Sequence, residues 1–419
     1  MNQTVKDVID FVNDHDVKFI RLAFCDIFGI QKNISIMASE LCYAFEEGIS
    51  FDGCSIDGFE SITNSDLFLY PDPQTLSLLP WRPQEGRVMR FFCDIKNADK
   101  TQFSCDTRGI LKRVVEECED LGFSCNIGAE CEFYLFKMDE NGEPTNIPLD
   151  RAGYLDIAPL DNGENVRREI CLCLEEMGIQ PEASHHEQGP GQNEIDFRFS
   201  DPLTSADNLL TFKMVVKTIA ARNGLFASLD PKPIKNVSGN GLHINVSLYK
   251  DGQNIFTNAP DHSKIAESFI AGILNRIVEI TAFLNPVNNS YKRFGCFEAP
   301  QYVSWSHQNR SQLIRIPAAT GEKVRMELRS PDPIANPYLA YALILSAGIR
   351  GIKNNEHLPL ALDIDLTDEN KVLEHLDKLD KLPTSLQEAL DIAEKSDFAR
   401  EVLGENIFNR YISLKRKDI

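Results

Sequence analysis

Three stretches of this chain read as strands with one apolar face and one face of ionisable or amide groups. In "GAECEFYLF" (residues 128–136), Glu130 and Glu132 alternate with Cys131, Phe133 and Leu135. In "GLHINVSL" (241–248), His243, Asn245 and Ser247 alternate with Leu242, Ile244, Val246 and Leu248. In "VRMELRS" (324–330), Arg325, Glu327 and Arg329 alternate with Val324, Met326 and Leu328. Side chains on a strand point to opposite faces in turn, so each polar set projects together from an apolar back. A solvated outer face is the ordinary explanation for any one such strand. It fits the three together poorly. Solvated faces favour Lys and Thr, whereas these positions hold the residue types that bind metals and anions.

The segment "EASHHEQGPGQNEIDFRF" (182–199) adds a hairpin. Glu187 and Glu194 flank its Gly-Pro-Gly-Gln turn, so both can be aimed inward. His185 shares a strand face with Glu187, and His186 points away. Gathered in one cavity, Glu130, Glu132, Glu187, Glu194 and Glu327 repel one another; a pair at ~4 Å opposes by roughly 4 kcal/mol at intermediate dielectric. Either several are protonated or cations neutralise them. Oxygen ligands suit Mg²⁺, and one imidazole also admits Mn²⁺. Five carboxylates and a histidine suffice for two ions. Two metals beside several arginines point to phosphoryl transfer.

The length of 419 residues exceeds one ordinary domain. A net charge of −20 repels phosphate backbones and argues against nucleic acid as a partner. Eleven cysteines without a CxxC pair read as reduced thiols. Met1–Asp14 is polar and acidic, and no apolar run approaches membrane-spanning length. The expectation is a cytoplasmic protein with no membrane partner. Residues 2–15 carry a helical apolar pattern, and "KFIRLAFCD", "IQKNISIMA", "LSLLPW" and "RVMRFFCDI" read as strands. They form a small α+β domain ending near residue 100. Beyond it, helices are expected at 108–121, 166–179, 204–223, 263–283, 336–353 and 384–396. The acidic stretch "LDIDLTDENKVLEHLDKLDK" reads as a solvated connection with some helix.

Six segments occur in an order that resembles the signatures of glutamine synthetases of the bacterial type I. They are "FDGCSIDGF", "GAECEF", "HHEQGPGQNEIDF", "NSYKRF" with "FEAP" after it, "NRSQLIRIP" and "RMELRSPDPIANPYLA". The resemblance covers nearly the whole chain. It implies an α+β fold: a small N-terminal β-grasp domain (1–100) and a larger catalytic domain (101–419). It implies a homo-oligomer built on a hexameric ring, two rings making a dodecamer, with each site between neighbouring subunits. The implied substrates are ATP, L-glutamate and ammonium, joined through γ-glutamyl phosphate, with two or more Mg²⁺ or Mn²⁺ per site. One ion would be held by Glu132, Glu187 and Glu194, the other by Glu130, His243 and Glu327. Asp52 would take the ammonium proton, and Arg329 and Arg310 would hold the phosphoryl group. Arg293, with Gly239, Glu132 and Arg329, would bind glutamate. Asn245, Ser247, Arg315 and Arg325 would contact the nucleotide. Glu298 would sit on a flap that keeps water from the acyl phosphate.

The chain departs from the family pattern in places. "SGNGLH" puts Ser238 where an Asn is usual and retains Gly239. "KRFGCFEAP" is one residue shorter than the usual flap, Cys54 replaces a Ser, and Gln188-Gly189 replaces the common Val-Ala. No counterpart of an adenylylated tyrosine loop is visible. The chain stops at "RYISLKRKDI", short of the tail that clasps the opposite ring in many relatives, so stacking of two rings is less firmly implied than one ring. Ser238 and the short flap open a second reading, a glutamate–amine ligase acting on polyamines or alkylamines. A third, a non-catalytic binding protein, sits badly with a complete set of six metal ligands.

Overall fold

Two sheets organise the chain in the computed structural model, which describes residues 4–59, 65–257, 263–375 and 379–419. The first sheet runs in the order Gln31–Met37, Val17–Cys25, Arg87–Asn97, Asp66–Pro71, Ile49–Asp52. Its central pair, Val17–Cys25 and Arg87–Asn97, is parallel, and its other pairs are antiparallel. The strand expected at "LSLLPW" shrinks to Ser77–Leu78. Leu79 N still bonds Val88 O at 3.0 Å, but Pro80 has no N–H to continue the ladder. The N-terminal helix is Val5–Asp14, started by a capping box between Thr4 and Asp7. Residues 2 and 3 of the expected helix lie outside the described residues.

The second sheet has ten strands. Its spine runs Trp305–His307, Ile314–Ile316, Met326–Leu328, Leu242–Lys250, Phe123–Met138, Gln192–Phe197, Pro181–His186. One side is the core: Cys131, Phe133, Leu135, Ile195, Leu242, Ile244, Met326 and Leu328 are fully buried. Helices Thr107–Asp120 and Pro202–Arg222 cover that side, with Phe212 packed edge-on against Phe133. Helix Pro337–Asn354 packs on both, started by Asn336 as cap and Pro337 in its first turn.

The helix expected at 263–283 is two, Lys264–Leu274 and Ile277–Leu284. At the junction Arg276 Nη1 caps the Gly272 carbonyl at 2.9 Å, and Glu356 accepts from Asn275 Nδ2 and Arg276 Nη2 at 2.7 Å each. Three short helices escaped the apolar periodicity: Leu41–Glu47, Asp397–Leu403 and Glu405–Lys415. The acidic stretch carries the helix Glu369–Leu373, and its residues 376–378 lie outside the described residues. All eleven cysteines are free thiols. Among the described residues no helix is long and apolar enough to cross a membrane.

Arg108 fastens the first sheet to the second. Its Nη2 meets Asp72 and Asp207, each at 2.9 Å, and its Nη1 meets Asp94 at 2.9 Å. Asp207 also accepts from Tyr338 Oη at 2.5 Å. Removing the guanidinium leaves the buried Asp207 without its ion pair, while Lys112 still meets Asp94 at 2.7 Å. Arg108→Met is therefore expected to cost about 3–5 kcal/mol, read as a lowered urea midpoint. A change under about 1 kcal/mol would show that the cluster is no fastening.

Candidate active site

Strand register does the gathering. Asp196, Glu130 and His243 stand side by side across three adjacent strands. One step along, Glu132 faces Glu194, and Glu194 faces His185. On the other flank, Arg315, Glu327 and Asn245 form a row. The face on which these residues lie is not a solvated outer face. His243, Asn245, Ser247, Glu327 and Arg329 are all buried. A cavity of about 590 Å³ opens over it.

Glu130, His243 and Glu327 bring ligand atoms within 4.8 Å of one another. His243 Nδ1 lies 3.2 Å from Glu130 Oε2 and 3.7 Å from Glu327 Oε1. Asn245 Nδ2 donates to Glu130 Oε1 at 2.9 Å. Two guanidiniums grip Glu327, Arg315 Nη1 and Arg329 Nη1, each at 2.6 Å. Burial works to raise both carboxyls, but these partners outweigh it. Glu130 falls to about 2, and Glu327 falls below its ordinary value.

His185, Glu187 and Glu194 make a second such group, and Glu130, Glu194 and Asp196 a third. Glu132, assigned beside Glu187 and Glu194 by the resemblance, is not in the second trio. Gly241 N at 2.8 Å and Gln192 Nε2 at 2.9 Å hold its Oε2, and His185 Nε2 stands 3.0 Å from Glu187 instead. Burial and the neighbouring carboxylates drive Glu194 well above its ordinary value and Asp196 up to about 6. Burial raises Glu132 as well. Carboxyls whose proton affinity is raised by burial and by one another, beside two imidazoles, are a donor set that fits hard divalent cations.

The remaining predicted residues divide. Glu298 lines the cavity, its Oε2 3.7 Å from Arg329 Nη2 and its Oε1 accepting from Gln188 Nε2 at 3.4 Å. Arg293 is buried, donating to the Ser330 and Arg329 carbonyls at 2.9 and 3.0 Å. Arg310 and Gly239 lie in the same wall, Arg310 exposed. Asn245, Ser247 and Arg325 border an adjoining cavity of about 230 Å³, reached past Glu130 and Asp196. Asp52 stands apart. It is exposed at the edge of the first sheet, where hydrogen bonds from Cys54 and Ser55 hold its carboxyl below the usual range.

Sequence reasoning missed several residues. Asp196 and Gln192 share a strand face with Glu194, so the alternation rule used elsewhere would have found them. Gln192 is fully buried and joins Glu132 to Ser238, whose Oγ donates to Gln192 Oε1 at 2.8 Å. His186 faces away from the cavity, as expected. Its Nε2 meets Asp150 at 2.9 Å and its Nδ1 meets Glu187 O at 2.7 Å, which supports the Glu187 turn from behind. Gly241 gave no signal at all. A Cβ there would sit 2.7 Å from Arg293 Nη2 and 2.9 Å from His243 Nε2.

A buried acidic face rimmed by arginines defines an enzyme that handles anionic substrates with the help of divalent cations. Residues 16–98 match the family model described as glutamine synthetase, beta-Grasp domain, and residues 104–419 the one described as glutamine synthetase, catalytic domain. The chain is 47% identical over 416 residues to a glutamine synthetase of Clostridium saccharobutylicum, covering 98% of this chain and 94% of that one. It is 48% identical over 419 residues to one of Methanosarcina mazei, covering 99% and 94%. Among solved structures, it resembles the GmaS/ADP complex with TM-score 0.89 at 29% identity, covering 100% and 96%. It resembles the Plasmodium falciparum glutamine synthetase seen by cryo-EM with TM-score 0.87 at 26% identity, covering 99% and 96%. The chain belongs to the glutamine synthetase family and is a ligase with a β-grasp N-terminal domain.

Two outcomes follow from the geometry. Gly241→Ala should displace Arg293 and His243 and lower turnover by at least roughly tenfold, with the melting temperature nearly kept; full activity would show that the crowding relaxes freely. Divalent-ion affinity should rise from about pH 5.5 to 7.5, because the raised carboxyls must give up protons to the ion. Calorimetry in buffers of different ionisation enthalpy reads that release. An affinity flat over this range would show that these carboxyls are not displaced.

Proposed function

We propose that this enzyme joins ammonia to L-glutamate, using ATP, through γ-glutamyl phosphate. The observation that carries the reading is the row Asp196–Glu130–His243 with Glu327 beside it, a cation-binding floor under a cavity rimmed by arginines. The family membership supports it, and the relatives near half identity favour ammonia over a larger amine. Ser238, which opened the amine reading, spends its hydroxyl on Gln192.

Glu130, His243 and Glu327 hold one Mg²⁺ or Mn²⁺; Glu187 and Glu194, with His185 or Glu132, hold the other. Such ions, when bound, offset charge on phosphate oxygens and on the group in flight. Asn245, Ser247, Arg315 and Arg325 take the nucleotide. Arg293 has N–H donors beyond those given to carbonyls, and these take the glutamate α-carboxylate beside Gly239. The γ-carboxylate attacks the γ-phosphorus, ADP leaves, and Arg310 and Arg329 steady the phosphoryl group. Phosphate is a competent leaving group where carboxylate oxygen is not. Glu298 closes over the acyl phosphate and excludes water. Ammonium loses its proton to Asp52, and ammonia displaces phosphate at the acyl carbon.

Asp52 lies off the cavity of its own chain, which supports a site completed by the next subunit in a hexameric ring. Two rings make the dodecamer. The chain divides near residue 100, into 1–100 and 101–419, and works in the cytoplasm, where its free thiols stay reduced.

Phosphate release with Mg²⁺, ATP and glutamate should show the highest kcat/KM with ammonium; preference for an alkylamine or polyamine would overturn the acceptor. Glu327→Gln should lower turnover by more than roughly 100-fold with secondary structure intact. Asp52→Ala should depress ammonium use more than ATP binding. Mixed oligomers of Asp52→Ala and Glu327→Gln subunits should regain activity; none would appear if both residues served the same subunit's site.

A further inference from the structure

A second cavity, about 410 Å³, lies where the two domains meet. Strands Val17–Cys25 and Arg87–Asn97 supply Arg21 and Arg90 to its wall, and helix Pro202–Arg222 supplies Lys213 and Lys217. No carboxylate lines it among the described residues. Arg90 is 5% exposed, with its guanidinium 4.0 Å above the Phe92 ring. Nη1 donates to Thr211 Oγ1 at 2.9 Å, and the buried Nε has no partner. Lys213 reaches only a carbonyl, Ala335 O, at 2.9 Å. Arg21 and Lys217 have no hydrogen-bond or ion-pair partner among the described residues. The carboxylates that act on this cluster from a distance are engaged elsewhere: Asp207 with Arg108, and Asp332 with Asn285.

Four cations brought together without an anion are costly. Burial lowers all four pKa values, Arg90 to about 10. A polar ligand with several anionic oxygens would repair the imbalance, and guanidiniums match carboxylate and phosphate geometry.

We propose that this cavity is a binding site for a small polyvalent anion, a phosphate or a dicarboxylate, separate from the catalytic cavity. An anion there links the N-terminal sheet to the helix behind the catalytic sheet, so its occupancy bears on how the two domains are held. The proposal does not depend on which amine the ligase accepts.

Calorimetry on the full-length oligomer, at constant ionic strength, tests it with inorganic phosphate and succinate in separate titrations. At least one should bind more tightly than chloride, and the arm that binds names the class. Lys217→Glu should weaken that binding at least about tenfold while ligase turnover in the absence of the anion stays at the wild-type value. Arg21→Gln gives the same readout without a charge reversal. Heats no greater than chloride gives, or binding unchanged in both variants, would overturn the proposal; the latter assigns the heat to the catalytic cavity.

Discussion

The second sheet depends on holding like charges together. Five glutamates and an aspartate line one enclosed face, and the fold has to contain their repulsion. It does so in three ways. Arginines sit directly on Glu327, Asn245 and His243 face Glu130, and burial with neighbouring carboxylates raises the proton affinity of Glu194 and Asp196. The apolar opposite face supplies the burial that keeps the strands in register against that strain. A slip of one residue in Phe123–Met138 would turn Glu130 and Glu132 into the core.

Around this face the supports are layered. Gln192 orients Glu132 and touches Ser238, and the His186–Asp150 pair backs the Glu187 turn. Arg293 ties residues 329–331 to the cavity wall. Positions without titratable chemistry thus fix the geometry of those that have it. The Arg108 cluster extends the same logic to the joint between the sheets, where one buried cation serves carboxylates from both sides.

Much of this was legible beforehand because period-two alternation is a strong signal. Glu130, His243 and Glu327 fall together because each sits at a polar position of an otherwise apolar strand. The helix expected at 204–223 is Pro202–Arg222, its start set two residues earlier by the Asp201 cap and Pro202. What stayed hidden depends on contacts between distant segments. The junction at Asn275 and Arg276 is held by Glu356, some eighty residues on. The need for Gly241 arises from Arg293 and His243 meeting over it. The cationic cavity takes its side chains from two strands and a helix that no local pattern relates.

The double grip on Glu327 keeps a buried carboxylate charged without any bound cation. Arg315 and Arg329 act as stand-in counterions for that carboxylate. A divalent ion bound beside Glu327 would take over part of that duty and leave guanidinium donors free for another anion.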